Sequence, residues 1–390
     1  MSSSIAGFVS QRISRTCLLR PISKAANISS LAVQYSEFGK AQNVLKLVSI
    51  DNEASLMNLS ADEVLLKHLV APINPSDLNM IQGVYGIKPS SFPAIGGQEG
   101  VAVVEKVGSS VSDLKEGDWV IPHAPGLATW TQRSKAKAAH LLRVSNDIPA
   151  PYAATVAVNP CSAYRMLEDF ERLRPGDWLV QNGANSMVGQ AVIQLARARG
   201  IRTLNVIRSD RPDAATTVRL LTNLGGDLVV TDEYLQSRGF QEIARELPPV
   251  RLALNCVGGD SAALLARTLA PHGTLVTYGG MAHQPLAVPL DLLARKQLRL
   301  RGFWVSQWVQ SHSKEERGRM VEELLQLVRA KQLSFFFQLH DLDDFPFALQ
   351  QALEPFALRK VLLSLAFPDR LAEHDGRPDK DYWVFDTSAV

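Results

Sequence analysis

Cysteine is scarce in this chain, and what there is lies scattered. Cys17, Cys161 and Cys256 form no CxxC pair, which excludes a disulfide framework and a cysteine-built structural zinc site. Buried reduced thiols in a reducing compartment are the reading that fits. The eight histidines show no metal-ligand spacing, so no metal is expected. An excess of one charge is also missing: 41 basic residues against 39 acidic ones leave a net charge of +2. That balance singles out no polyanion, and no nucleic-acid partner is expected. No apolar run approaches the ~20 residues that span a bilayer, so membrane insertion is not expected either. Acid is absent from the first 36 residues, which carry Arg12, Arg15, Arg20, Lys24 and many serines before Glu37. No clean apolar stretch follows those charges, which argues against a secretory signal. Residues 1–36 are therefore expected to be a mitochondrial transit peptide, with the matrix as destination.

The remaining chain has the composition of a soluble globular protein and length enough for two cores. From Asn43 to Val158, short β-type runs such as "EVLLKHLVA" and "GVAVVEKVG" alternate with Pro, Gly and Ser-Asp turns, as in a barrel-like all-β unit. After Asn159 the rhythm becomes strand, helix, strand, helix. Strands are expected at 177–181, 203–207, 227–230, 252–257, 274–279 and 298–303. "MVGQAVIQLARARG" places Val188, Ala191, Val192 and Leu195 at helical spacing and stops at Gly200. Short apolar strands alternating with helices imply an α/β, doubly wound parallel sheet. The amphipathic "KEERGRMVEELLQLVRAKQL" follows, then "RKVLLSLAF", which reads as a return to the first domain. The polar residues after Phe367 read as a mobile tail.

"VQNGANSMVGQAVIQLA" joins the first of these strands to its helix, where a doubly wound domain binds pyrophosphate on free N–H groups. Gly183 and Gly189 suit the ends of such a loop, although the strict G-x-G-x-x-G pattern is absent. The second strand ends in "VIRSDR" instead of an acidic residue. Arg208 and Arg211 suit a 2′-phosphate, so NADPH is the expected cofactor, with Asp210 placed to orient an arginine.

Two motifs, "NPSDLNMIQGVYG…GGQEGVAVV" and "NPCSAYRML…NGANSMVGQAVIQLA", together with "LALNCVGG", "VTYGGMA" and "LRGFWVSQW", resemble the mitochondrial trans-2-enoyl-thioester reductases. These are metal-free NADPH enzymes of the medium-chain dehydrogenase/reductase superfamily. The resemblance runs from about Val33 to Phe367. It implies a GroES-like β-rich catalytic domain over 37–160, a Rossmann NADPH domain over 161–315, a return over 316–367 and a tail over 368–390. It also implies a homodimer joined through the cofactor-domain sheets. Enoyl-CoA or an enoyl-acyl-carrier protein would be the substrate, in the last step of the mitochondrial fatty-acid synthesis cycle.

Residue by residue, the resemblance makes Tyr85 the catalytic tyrosine and Asn159 a cofactor contact. Asn185, Ser186, Met187 and Val188 match the pyrophosphate loop, and Arg208 and Arg211 the 2′-phosphate site. Tyr278, Gly279, Gly280 and Met281, with Phe303, Trp304 and Val305, match segments beside nicotinamide and ribose. Lys360 matches a late lysine that reaches the cofactor. Met187 stands where relatives commonly have glycine, "RSDR" is one residue longer than usual, and the tail has no counterpart.

The implied chemistry delivers hydride to C3 and a proton to C2, with an enolate between them that needs hydrogen-bond donors. A phenol ordinarily titrates near ~10, so a tyrosine is protonated at working pH and able either to donate the proton or to steady the charge. Gly83 and Gly86 flank Tyr85 and are expected to leave room for substrate. Trp304 and Trp308 are candidates for an acyl pocket as much as for core, and Lys88, Arg165 and Arg301 for a carrier contact. A zinc-free quinone or alkenal reductase is the alternative within the superfamily. A non-catalytic protein that senses NADPH or contacts a nuclear partner is the alternative outside it.

Overall fold

A computed structural model describes residues 30–50, 53–123 and 126–366. Most of the expected transit peptide and the whole expected tail lie outside those residues. Six strands form one parallel sheet, in the order Leu228–Thr231, Arg202–Ile207, Trp178–Gln181, Val250–Asn255, Leu269–Thr277, Arg299–Gly302. They lie within a few residues of the positions their apolar runs predict. The chain starts this sheet in the middle and reverses direction beside Trp178–Gln181, which opens a crevice at the carboxyl ends of the central strands. Helix Met187–Ala198 leaves that crevice. Ser186 caps it by accepting from the Gly189 N–H at 3.1 Å, and Gly200 at φ 69° ends it. Val188, Ala191, Val192 and Leu195 are all buried, as their spacing requires.

A second, seven-stranded sheet runs Phe337–Asp341, Lys360–Ser364, Glu63–Pro72, Val101–Val107, Trp119–Pro122, Leu141–Val144, with Arg133–Lys137 paired to Glu63–Pro72. The late strand Lys360–Ser364 pairs antiparallel with Glu63–Pro72, Leu362 opposite Pro72. The C-terminal segment therefore returns to the first sheet and carries Lys360 there. Ser30–Tyr35, Lys46–Ile50 and Ala94–Ile95 form a small third sheet. One apolar cluster joins the two large sheets, with Val70 and Ile121 on one side, Leu179 and Leu254 on the other, and Leu324 and Phe335 between. Burial of that cluster holds the cleft between the sheets in one shape.

The glycines of "GGQEG" have a packing cause. Trp130 is fully buried and donates its indole N–H to the Pro72 carbonyl at 3.0 Å. A Cβ on Gly96 would sit 2.4 Å from that ring, and Gly97 is at φ +85° with the same ring 2.4 Å from its would-be Cβ. Only glycine lets the chain pass here, and the passage delivers Gln98 and Glu99 to the cleft.

Candidate active site

Tyr85 lies just past helix Pro75–Ile81, in a turn whose N–H groups at Val84 and Tyr85 both donate to the Asn79 carbonyl. Its ring meets Trp304 edge to face at 5.6 Å, and Trp304 Nε1 donates to the Tyr85 hydroxyl oxygen at 2.7 Å. The phenol is thus an acceptor from the indole, and its own proton is left to point elsewhere. Gly86 has a local reason as well: a Cβ there would come 3.0 Å from the Trp304 ring, while one on Gly83 would come 2.9 Å from Phe38. Gly86 thus makes room for the ring that anchors the tyrosine, and Gly83 makes room for Phe38.

Across the cleft, the loop after Trp178–Gln181 forms a cradle. A Cβ on Gly183 would meet Cys256 Sγ at 2.5 Å, and one on Gly189 would meet the Ala184 backbone at 2.5 Å. No bond among the described residues takes the N–H groups of Asn185, Met187 or Val188. They stand at the first turn of a long helix, an arrangement that suits a pyrophosphate. The Tyr278–Met281 segment closes over the neighbouring strand ends, with Tyr278 and Met281 N–H groups donating to the Asn255 and Cys256 carbonyls, both at 2.9 Å. A Cβ on Gly279 would touch Cys256, whereas Gly280 faces open space. Phe303 donates its N–H to Thr277 at 3.0 Å, and this bond leads the chain into Trp304 and the buried Val305.

Asn74, Glu99, Asn159 and Lys360, from four separate segments, meet beneath the cleft. Asn74 Nδ2 donates to Glu99 Oε2 at 2.7 Å, and the other Glu99 oxygen accepts the Val158 N–H at 2.7 Å. Lys360 Nζ donates to the Ile73 carbonyl at 2.8 Å and to Asn74 Oδ1, which also accepts from Asn159 Nδ2 at 3.3 Å. Asp77 joins through the Asn74 N–H at 2.8 Å. Burial pushes Glu99 up to about 7 against the pull of Asn74 and Lys360, and Asp77 up to about 6. Burial also draws Lys360 down to about 8 although both carboxylates favour its charged form. Sequence reasoning named Asn159 and Lys360 but missed Glu99 and Asn74, although both lie inside the quoted motifs. Nothing in a one-dimensional pattern says that Glu99 is only 1% exposed.

The arginines separate. Arg208 is exposed at the end of Arg202–Ile207, stacks on Phe356 at 4.8 Å and pairs with Asp210. Arg211 is buried and bound to Asp213 at 2.7 Å and to the Phe356 carbonyl at 3.0 Å. Of the carrier candidates, Arg165 pairs with Asp169 and covers Trp308 at 4.8 Å. Lys88 lies over Phe38, and Arg301 is on an exposed edge strand. Trp308 belongs to the core cluster, stacked on His312 at 4.0 Å, so only Trp304 of the two tryptophans reaches the cleft.

Two family models match: an alcohol dehydrogenase GroES-like domain over residues 60–158 and a zinc-binding dehydrogenase over 188–326. The mitochondrial enoyl-acyl-carrier-protein reductase of Rattus norvegicus is 48% identical over 86% of this chain and 88% of its own. The chain belongs to the mitochondrial enoyl-acyl-carrier-protein reductases. Among solved structures, the Etr1p complex with NADP and crotonyl-CoA matches at a TM-score of 0.79, 32% identity and 86% coverage of this chain, 100% of that one. The mitochondrial 2-enoyl thioester reductase heterodimer Etr1p/Etr2p from Candida tropicalis matches at 0.77 and 33%, with the same coverage. The α/β architecture with a GroES-like part and a Rossmann part is thereby that of the reductase family. Its cleft in this member rests on the network around Glu99.

That network makes a pH prediction. The folded-state values of Glu99 and Asp77 lie above those of an unfolded chain, so the folded protein holds protons that the unfolded one releases. Their stabilising contribution is present below the unfolded values and is lost as pH rises towards about 7. Buried His68, held down to about 4, works in the opposite direction over the same range, so the test is a difference: from pH 5 to pH 7.5 the urea midpoint of the unaltered protein should fall relative to that of Glu99→Gln. A constant difference between the two would show that Glu99 does not titrate with folding.

Proposed function

We propose that Tyr85 serves the protonation half of the reaction in a chain whose activity is NADPH-dependent reduction of trans-2-enoyl thioesters to acyl thioesters. The observation that carries this assignment is the 2.7 Å bond from Trp304 to the Tyr85 oxygen. It engages the phenol oxygen as an acceptor on one side and leaves its O–H free to donate to a substrate. NADPH, when bound, supplies the hydride. The free N–H groups of Asn185, Met187 and Val188 suit its pyrophosphate, and the Tyr278–Met281, Asn159 and Phe303–Val305 segments line the space where its nicotinamide half belongs. Lys360 and Asn159 are held in place by Asn74 and Glu99. As C3 gains hydride, charge grows on C2 and the thioester oxygen, and a fixed donor at the rim stabilises it without having to reorganise. Tyr85 then gives its proton to C2 or holds the enolate while water does so.

For the 2′-phosphate, Arg208 is the better placed of the two arginines. Its pairing with Asp210 is water-exposed, and exposed pairs contribute little, so a doubly charged phosphate displaces it readily. Arg211, committed to Asp213 and Phe356, acts by holding the loop. The substrate class, an enoyl-CoA or enoyl-carrier-protein of mitochondrial fatty-acid synthesis, follows the relatives, whose names also place them in mitochondria. The expected import leader falls mainly on residues outside the described ones. No helix among the described residues is long and apolar enough to cross a membrane. A homodimer is favoured by the sheet edge: Arg299–Gly302 is exposed along its length and has a partner on one side only, an edge that a second copy would cover.

Tyr85→Phe should lower kcat for 2-hexenoyl-CoA by roughly 100-fold or more, in the range of a lost general acid, while leaving NADPH affinity near its original value. Full turnover in that variant would remove the assigned role, and NADPH oxidation with quinones but never with 2-hexenoyl-CoA would favour the quinone-reductase reading. Arg208→Ala should raise KM for NADPH by roughly 10- to 100-fold, the scale of charged hydrogen bonds, and hardly touch NADH. Equal effects on both would exclude it from the phosphate site. Sedimentation should find a two-chain species at micromolar protein, and a monomer there would refute the edge-to-edge dimer.

A further inference from the structure

Beyond Tyr85 the cleft continues into a cavity whose polar wall is Ser76, Tyr85, Gln98, His123, Ser306 and Arg317. Arg317 projects from helix Lys314–Arg329 and is only 5% exposed. One guanidinium nitrogen, Nη1, donates to the His123 carbonyl at 2.6 Å, while Nε is buried with no partner. No carboxylate among the described residues pairs with it, although Cys161 and Glu99 act on it through space. Glu315 and Glu316, its neighbours on the helix, are exposed, and Glu316 is occupied by the Ser313 N–H at 3.0 Å. His123 brings no compensating negative charge and is itself held towards the neutral form by burial and by Arg317. Gln98, on the same wall, is buried beside the Asp77 carboxylate, which its side chain helps to hold in the charged form.

The contrast with Arg211 is instructive. That arginine is equally buried but has both a carboxylate and a carbonyl, as buried cations normally do. Arg317 has the burial without the counter-ion, and it faces a cavity. A methyl-ended acyl chain entering there would strip the last water from an unpaired cation, which is unfavourable. An anion would instead complete it through a charge-assisted hydrogen bond.

We infer that Arg317 is a specificity-determining residue, and that the enoyl thioester this cavity accepts best carries a carboxylate at the far end of its acyl chain. The inference rests on the reductase reading above, with the reacting carbons at Tyr85 and the chain tail running towards Arg317. Apolar wall residues, Val305 and Val309 among them, cover the methylenes between.

The test measures kcat/KM of the purified protein with NADPH for crotonyl-CoA and for matched pairs of trans-2-enoyl-CoAs, hexenoyl and octenoyl, ending in methyl or in carboxylate. In the unaltered protein the carboxylate-ended member should win by about tenfold or more in at least one pair, the scale of a charge-assisted bond. Arg317→Met should reverse that ratio, and Arg317→Lys should keep part of it. Preference for the methyl-ended member in every pair would overturn the inference, and that measurement needs no variant to fold. So would a ratio that Arg317→Met leaves unmoved. Crotonyl-CoA separates the two levels of the argument: its reduction upholds the reductase reading whichever tail is preferred, and its failure as a substrate would sink that reading first.

Discussion

A buried carboxylate, Glu99, is the point on which the rest of the cleft depends. It accepts from Asn74 and from the Val158 N–H, and so ties the start of the Tyr85 helix to the segment that carries Asn159. Asn74 passes the same constraint to Lys360, which arrives from the far end of the chain. Taking such a charge out of water is costly, and here a hydrogen bond to each oxygen offsets part of that cost. The result is a junction that tolerates one arrangement of four segments. The strand pairing of Lys360–Ser364 with Glu63–Pro72 and the packing of Trp130 against Gly96 and Gly97 bring those segments within reach of one another.

Above that junction the division of labour is electrostatic. The helix-start loop offers unpaired N–H groups on one side of the cleft. On the other, an indole-anchored phenol offers a single O–H. The N–H groups and the phenol are pre-set, the first by glycines that no side chain could replace and the second by an aromatic pair. Preorganisation of this kind is where a site lacking mobile charge gains most of its effect. Arg317 adds a different element, a buried charge with no carboxylate partner among the described residues, in a wall of neutral polar and apolar side chains.

Much of this was legible in advance. Alternating strand and helix runs announced the parallel sheet, because a strand buried on both faces must be apolar throughout. The loop from Gly183 to Gly189 stood out by its place between strand and helix, and the tyrosine in "QGVYG" by the resemblance of its motif to the family's. The two arginines of "RSDR" could not be told apart by pattern. Only their surroundings do so, since one lies in solvent and the other is walled in by Asp213 and Phe356. Trp304 and Trp308, four residues apart, diverge in the same way: Trp304 stands in extended backbone just before helix Val305–Ser311 and reaches Tyr85, whereas Trp308 lies within that helix and packs into the core.

The sequence alone determined the fold class and the family, because each follows from local periodicity or from motifs quoted intact, and it singled out the helix-start loop and Tyr85 as candidates. Tertiary structure decided which arginine faces solvent, that Glu99 is buried and satisfied, and that Arg317 is buried and is not. The reason is physical: a side chain's charge acts according to what surrounds it, and those neighbours come from segments up to 287 residues away, as Lys360 and Ile73 do.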